Sequence, residues 1–377
     1  MILVGAGIEG LGVTAEETTS KAFGTESYLV AQIANVGRLT PKMRAEKLRR
    51  NRQLRRDDLN FLRETTGDQI SYSPYAQRVD DVKRDDQILE ACSIIGVSAV
   101  LAEIRDVAVV DGRFFTEQEE HNKVFVAVIG DELRTTLFPG ASPLNQTIKI
   151  RGYDFAVVGV QEKLGSSFGR SQDNSVYIPD TTYEKLYGPA RSMSIFARAK
   201  PGTGLSLDDA LEVTRGAMRI RNHLGPAKTD TFDFLTPDSI RGFVDSILGV
   251  IRVVVVPVTL ISLVVGGIVI MNIMLVSVTE RTKEIGIRKS LGAKGVDIMV
   301  QILSESFMIS ALGGLMGIFF AWLAVQLLTK GFDIKMKITA PYIILAVFVS
   351  SGVGLISGWY PARRASNLDP IEALRAE

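Results

Sequence analysis

The sequence predicts a bundle of transmembrane α-helices joined to a large α+β domain outside the membrane. Three uncharged apolar runs occupy the last third of the chain, at 253–279, 306–329 and 338–362. Each run is long enough to cross about 30 Å of hydrocarbon as a helix that rises about 1.5 Å per residue. Residues 14–245 are instead rich in charged side chains and have the composition of an ordinary globular domain. The chain is therefore expected to be an integral membrane protein.

The composition shift along the chain sets the expected boundaries. We expect a remnant of a first transmembrane helix at 1–13, an α+β domain at 14–235, a stalk helix at 236–252, transmembrane helices at 253–279, 298–329 and 338–362, a cytoplasmic segment at 280–297 and a cytoplasmic tail at 363–377. The apolar start lacks a basic segment and a cleavage site, so it is a poor signal peptide, and it is too short to span a membrane. The alternative is that this terminus packs on the domain.

The α+β domain shows alternating strand and helix signals. Strands are expected at 27–33, 124–129, 147–150, 155–160, 176–178, 194–199 and 232–235, and helices at 41–65, after Asp180 as a cap, and from Ser206 to about Gly225. Ser206 followed by Asp209 three residues later is a capping box. Arg151-Gly152 is typical of a hairpin turn, because glycine adopts positive φ at little cost. This alternation of strands and helices predicts small βαβ layers. The polar loop 165–174 is expected to be either a contact with a partner or a plain flexible loop.

Several classes of site are not expected. His121 and His223 are far apart and have no Cys or His neighbours at metal spacing, and Cys92 is the single cysteine. Adjacent carboxylates occur at 57–58, 80–81 and 85–86, but adjacent residues point to different faces, so no catalytic dyad is expected. No Gly-x-x-x-x-Gly-Lys-Ser/Thr phosphate loop occurs, and no charged residue lies inside the apolar runs. Neither nucleotide hydrolysis by this chain nor ion-coupled transport is therefore expected.

A stalk helix is expected to begin near Thr236, with Asp238 or Ser239 as its cap. The residues of its apolar stripe, at spacings of three and four, are Ile240, Phe243, Val244, Ile247 and Leu248. The stripe continues without a helix breaker into the first apolar run, which favours a rigid stalk over a helix that lies on the lipid surface.

The distribution of Lys and Arg predicts the orientation in the membrane. The loop after the first run and the C-terminal tail together carry eight, at positions 281, 283, 288, 289, 294, 363, 364 and 375. The loop between the second and third runs carries three, at positions 330, 335 and 337. Since positive charge is retained on the cytoplasmic side, we expect residues 280–294 and the C-terminus in the cytoplasm and the α+β domain outside it.

The segment 280–293 between the first two runs is expected to be a short amphipathic helix. Either Glu280 can pair with Lys283 or Glu284 with Arg288, at helical spacing. Such a helix, with apolar and charged side chains, is suited to dock into a groove on a soluble partner. The residues expected to make that contact are Glu280, Arg281, Glu284, Ile285, Gly286, Arg288, Lys289, Leu291 and Gly292.

Three parts of the sequence resemble one family. The segment Glu-Arg-Thr-Lys-Glu-Ile-Gly-Ile-Arg-Lys-Ser-Leu-Gly-Ala at 280–293 is similar to the coupling region of MacB-type ABC transporter permeases, and Pro-Ala-Arg-Arg-Ala-Ser-Asn-Leu-Asp-Pro-Ile-Glu-Ala-Leu at 361–374 resembles their C-terminal signature. Gly-Arg-Phe-Phe-Thr at 112–116, Val-Ala-Val-Ile-Gly at 126–130 and Phe-Ala-Val-Val-Gly-Val at 155–160 resemble their periplasmic core. Relatives of that family include the lipoprotein-release subunits LolC and LolE and the division protein FtsX.

The resemblance implies four transmembrane helices, a periplasmic domain between the first two, and location in the inner membrane. It implies a non-catalytic permease, paired with a second copy or a related chain, that works with a separate ABC ATPase holding ATP and Mg. ATP-driven closure would move the stalks and so the periplasmic domain, for export or efflux. Membrane lipids are an expected contact, a periplasmic adaptor is left open, and nucleic acid is not expected. The alternatives are lipoprotein release and an FtsX-like regulator of a cell-wall enzyme; the large domain favours the exporter.

Overall fold

The computed structural model describes residues 5–7, 9–10, 12–13, 21, 23–24, 26–37, 39–167, 170–332 and 338–375. The chain divides into two compact units, Ala15–Val244 and Met1–Thr14 with Asp245–Glu377, which we call the globular unit and the helical unit. The described residues of the expected first-helix remnant at 1–13 are helical; the rest of that prediction, and Lys335 and Lys337 of the predicted outer loop, lie outside the described residues.

The globular unit is built on a ten-stranded sheet. Its strands are β1 (Ser27–Ala31), β2 (Ile70–Arg84), β3 (Gln87–Val97), β4 (Val109–Gly112), β5 (Val126–Ile129), β6 (Thr147–Ile150), β7 (Tyr153–Gln161), β10 (Ser175–Pro179), β11 (Ser194–Ala199) and β12 (Asp233–Leu235). They are ordered β12-β1-β11-β2-β3-β10-β5-β7-β4, with β6 paired to β2 and β7. A separate hairpin, β8 (Ser166–Ser167) with β9 (Arg170–Ser171), lies in the polar loop 165–174.

Most pairings in the described sheet are antiparallel, and only β3 with β10 and β5 with β7 are parallel. The prediction of βαβ layers was therefore wrong for most of the sheet. The long hairpin β2–β3 accounts for much of the difference: it pairs Tyr75 with Val97 at one end and Arg84 with Gln87 at the other. The short hairpin β6–β7 was predicted correctly, and Arg151 and Gly152 in its turn both have positive φ, 51° and 85°.

Seven helices of this unit have both ends among the residues that the structure describes. They are α1 (Pro41–Arg50), α2 (Arg56–Thr66), α3 (Leu101–Ile104), α4 (Glu117–His121), α5 (Asp131–Leu137), α6 (Asp180–Tyr187) and α7 (Leu207–Arg221). The capping box of Ser206 and Asp209 starts α7 as predicted.

The single helix predicted at 41–65 is instead two, α1 and α2. Asn51 is 4% exposed and extended, and its side chain donates to the carbonyl oxygen of Gln32. Leu54 is buried in the core next to the break. These two inward-facing side chains interrupt the helix, a tertiary effect that outweighs the helical propensity of the charged segment.

The helical unit contains the apolar runs. Besides the helical residues within 5–13, its described helices are α8 (Pro237–Glu280, whose first residues belong to the globular unit), α9 (Thr282–Ser290), α10 (Gly295–Phe332), α11 (Ala340–Ser366) and α12 (Pro370–Arg375). Among the described residues, three helices are long and apolar enough to cross a membrane: α8, α10 as far as Thr329, and α11.

Helices α10 and α11 approach closely through small residues. A Cβ atom added to Gly354 would lie 2.5 Å from Cβ of Ser310, and one added to Gly358 would lie 2.6 Å from Cβ of Ser306. Ser306 and Ser310 are themselves buried, and the Ser310 hydroxyl donates to the carbonyl oxygen of Ser350. Small side chains thus allow the backbones to pack directly, which is the usual basis of helix association in lipid.

Candidate functional site

Helix α9 lies between the two membrane-crossing helices α8 and α10, where the sequence predicted a docking helix. The chain leaves the α-helical conformation for one residue at Arg281, with φ −96° and ψ 14°, and resumes it at Thr282. Gly292 follows the last turn with φ +100°, a conformation that glycine adopts without strain and that ends helices. Helix α9 is therefore a separate short element with a defined start and end.

One face of α9 is packed into an apolar cluster of the helical unit. Ile285 is 7% exposed, and Gly286 beside it is also buried. The cluster joins α9 to the neighbouring ends of three long helices, and its buried members are Met274, Val278, Ile285, Ile298, Ile302, Ala362 and Ala365. The position of α9 is thus fixed by apolar packing against α8, α10 and α11.

Cationic side chains of this region contact the other helices. Lys289 Nζ donates to the carbonyl oxygens of Ser366 and Leu368, at 2.5 and 2.8 Å. Arg288 donates to Gln301 Oε1 on α10 at 2.7 Å. The predicted pair of Glu284 with Arg288 is absent among the described ion pairs, because the guanidinium group reaches across to α10 instead.

The remaining predicted contact residues face outward. Glu280 and Glu284 are exposed, and Leu291 is 83% exposed. Arg281 makes a long contact of 3.4 Å with Glu305 of α10. The predicted short helix is present as α9, and the structure separates its side chains into an outward set and an inward set made of Ile285, Gly286 and Lys289.

The predicted stalk is the first part of α8, which continues without interruption to Glu280. Of its five stripe residues, Ile240 and Leu248 are buried, Phe243 and Val244 are half-buried, and Ile247 is 41% exposed. The Phe243 ring packs directly against Gly37, where an added Cβ would lie 2.6 Å from the ring.

Strand β12, which directly precedes α8, is held by a carboxylate that sequence reasoning missed. Asp233 Oδ2 accepts from Lys47 Nζ at 2.5 Å and from the Ala34 backbone N–H at 3.2 Å. Its Oδ1 accepts from Asn51 Nδ2 at 3.2 Å, and the Arg50 guanidinium lies 3.7 Å away. Only 10% of the Asp233 side chain is exposed, so these contacts fix a three-residue edge strand that pairs with β1.

A second missed feature is a pair of carboxyl groups, Glu120 on α4 and Asp180 on α6. Asp180 is 3% exposed and pairs with Arg56 through Oδ2 at 2.5 Å, so it does not act as the predicted helix cap. Glu120 Oε2 accepts from the Ala99 backbone N–H at 2.6 Å. Burial, and then the nearby Asp180 carboxylate, raise the pKa of Glu120 to about 7. The described residues contain no group of three or more potential metal-ligating side chains.

Comparison with known proteins agrees with both halves of this architecture. Residues 10–210 match the family model of the MacB-like periplasmic core domain, and residues 257–370 match that of the FtsX-like permease C-terminal region. The chain belongs to the MacB-like permease family. It is a multi-pass membrane protein of that family, as the resemblance of the coupling and C-terminal segments indicated.

Curated relatives with similar sequences are MacB proteins. The chain is 36% identical over 288 residues to the macrolide export ATP-binding/permease protein MacB of Bdellovibrio bacteriovorus, covering 75% of this chain and 44% of that protein. It is 38% identical over 287 residues to the protein of the same name in Neisseria gonorrhoeae, covering 75% and 43%. The MacB-like permease described here thus spans less than half the length of these relatives. A crystal structure of the periplasmic region of MacB from Actinobacillus actinomycetemcomitans is similar at 18% identity, with a TM-score of 0.47, covering 60% of this chain and 95% of that one.

Proposed function

We propose that this chain is the permease of a MacB-like ABC exporter in the inner membrane, with its globular unit in the periplasm. ATP hydrolysis is assigned to an ABC ATPase outside these 377 residues, where ATP and Mg are bound, and a second permease copy completes the transporter. The permease itself is non-catalytic and transmits motion from the ATPase to the periplasmic unit.

The observation that carries this proposal is the position of α9. A short helix whose inner face is packed against the ends of α8, α10 and α11 moves with them, while its outer face remains available. Force applied to that outer face by an ATPase therefore reaches the membrane-crossing helices. The connections of α9 to its neighbours are short, with Arg281 alone before it and residues 291–294 after it, so it has little freedom to move independently of α8 and α10.

The relatives named as macrolide exporters favour efflux of macrolide-type compounds over lipoprotein release or regulation of a cell-wall enzyme. We therefore expect ATP-dependent export of an amphiphilic macrolide by the permease reconstituted in vesicles with its ATPase. Loss of vesicle-enclosed erythromycin that does not depend on ATP, or no loss at all, argues against this substrate class.

The docking role of α9 is tested by co-purification of the permease with the ABC ATPase. Glu284→Lys reverses an exposed charge on the outer face of α9. Because Glu284 is in none of the described ion pairs, its carboxylate is available to a partner, and the reversal should lower ATPase binding. Gly286→Pro removes a backbone donor inside α9 at a cost of about 3 kcal/mol and should abolish binding. Arg288→Glu is less informative, since it also removes the bond to Gln301.

The matched control is Asp208→Lys, a charge reversal at an exposed position of the globular unit. It should leave ATPase binding unchanged. If Glu284→Lys and Gly286→Pro both bind the ATPase as well as the original chain does, α9 is not the docking helix and the proposed function loses its main support.

A further inference from the structure

Lys289 is oriented away from the surface on which an ATPase would act. Its side chain is half-buried and its ammonium group donates to the carbonyl oxygens of Ser366, the last residue of α11, and Leu368. The last carbonyl groups of a helix have no partner within the helix and carry the negative end of its dipole. Lys289 therefore caps the C-terminal end of α11 from a different segment of the chain.

The surroundings of this contact are closely packed. Ala362 and Ala365 of α11 are fully buried in the same cluster as Ile285 of α9. The backbone of Gly295, at the start of α10, is so near α11 that an added Cβ would lie 3.0 Å from the carbonyl oxygen of Ser366. The contact thus lies where α9, the start of α10 and the end of α11 meet.

We propose that Lys289 is a positioning residue that clips α9 to the end of α11, so that movement of α9 is transmitted to the third membrane-crossing helix as well as to α8. The connection to α8 is covalent, through Arg281. The connection to α11 depends on apolar contacts and on the two charge-assisted hydrogen bonds of Lys289. The inference about transmission rests on the proposed function, whereas the clip itself does not.

The clip is tested with Lys289→Met, which keeps an unbranched apolar stem but removes the donors. Lys294→Met is the matched control, because Lys294 is an exposed lysine five positions along the chain. Spin labels are placed at the exposed positions Ser290 and Asn367, in a chain in which the buried Cys92 is replaced by Ala. Lys289→Met should broaden the measured distance distribution between the labels, and Lys294→Met and Lys289→Arg should leave it narrow.

The second measurement is ATP turnover by the permease reconstituted with its ATPase, alongside ATPase binding. Lys289→Met should leave binding intact but lower permease-stimulated turnover at least about tenfold, because it removes both charge-assisted hydrogen bonds to the end of α11. Lys289→Arg should restore turnover, because a guanidinium group also donates to carbonyl oxygens.

An unchanged distance distribution in Lys289→Met overturns the clip. So does an equal loss of turnover in Lys289→Met and Lys294→Met, because that result assigns the effect to net charge alone. If the unaltered chain fails to bind any ABC ATPase, the proposed function fails, and the distance measurement still decides whether Lys289 holds α9 to α11.

Discussion

The carboxyl groups of Glu120 and Asp180 lie close together, and their surroundings favour the state in which Glu120 is protonated and Asp180 is ionised. Arg56 neutralises Asp180 through Oδ2, while Oδ1 is buried and lacks a donor when Glu120 is ionised. Protonated Glu120 can donate to Asp180, and burial together with this contact raises its pKa to about 7. Glu120, but not Asp180, lines a cavity of about 450 Å³ together with Arg63, Glu117, His121 and Lys200. The positive charge of Arg63 acts in the opposite direction, lowering the pKa of Glu120.

The raised pKa of Glu120 predicts that the globular unit is less stable at neutral than at acidic pH. In the unfolded chain Glu120 titrates near 4.5, so its contribution is fully present below that pH and is lost as pH rises towards about 7. Allowing for solvent screening of a partly exposed group, we expect a loss of roughly 1–2 kcal/mol between pH 4.5 and pH 8. Pulse proteolysis in urea at the two pH values measures it.

Glu120→Gln should remove most of this pH dependence, because an amide can donate to Asp180 at every pH. Glu117→Gln, at an exposed position of the same short helix, should retain it. Identical pH profiles for the original chain and Glu120→Gln would show that the carboxyl pair does not hold a proton near neutral pH.

At the scale of elements, the strand β12 connects the sheet to α8. It is three residues long, and it pairs only with β1 along the edge of the described sheet. A strand this short forms few backbone hydrogen bonds with its neighbour. The contacts of Asp233 with α1 and with the residues that flank α1 therefore contribute much to holding β12 in place. Because α8 begins at Pro237, these contacts also fix the start of that helix.

Asp233→Asn should therefore loosen β12 without unfolding the sheet. The substitution removes the charge that attracts Lys47 and Arg50, and an ion-paired hydrogen bond is worth about 1.5–3 kcal/mol. We expect hydrogen exchange at the Phe234 and Leu235 amides to accelerate at least about tenfold. Asp208→Asn, at an exposed position on α7, should not change it, and equal exchange rates in both variants would contradict the anchoring role of Asp233.

The elements that sequence reasoning found are those whose signal is local. The β6–β7 turn follows from Arg151-Gly152, and the start of α7 follows from Ser206 and Asp209. The β2–β3 hairpin was missed because its outer half is exposed and charged, so that it lacks the apolar alternation of a strand. The contact of Lys289 with the end of α11 was not predicted, because its partners are backbone carbonyl groups 77 and 79 residues away, which the pattern of side chains does not reveal.

At the scale of the whole molecule, the chain combines a charged globular unit with a helical unit that carries three membrane-crossing helices. If each of these three helices crosses the membrane once, we expect the globular unit and the C-terminus on opposite sides of it. By the same argument, we expect α9, one crossing away from the globular unit, on the same side as the C-terminus. The excess of Lys and Arg in α9 and the C-terminal tail predicts that this side is the cytoplasmic one.

This topology predicts the outcome of labelling single cysteines in intact cells, in a chain in which Cys92 is replaced by Ala. Lys163→Cys, at an exposed position of the globular unit, should react with a membrane-impermeant maleimide. Ser290→Cys, exposed at the end of α9, should react only after the inner membrane is permeabilised. Asn367→Cys, at the exposed C-terminal cap of α11, should behave like Ser290→Cys, because α10 and α11 cross the membrane in succession between the two sites. Reaction of Ser290→Cys in intact cells with protection of Lys163→Cys would invert the orientation, and different behaviour of the Ser290 and Asn367 sites would show that α10 or α11 does not cross.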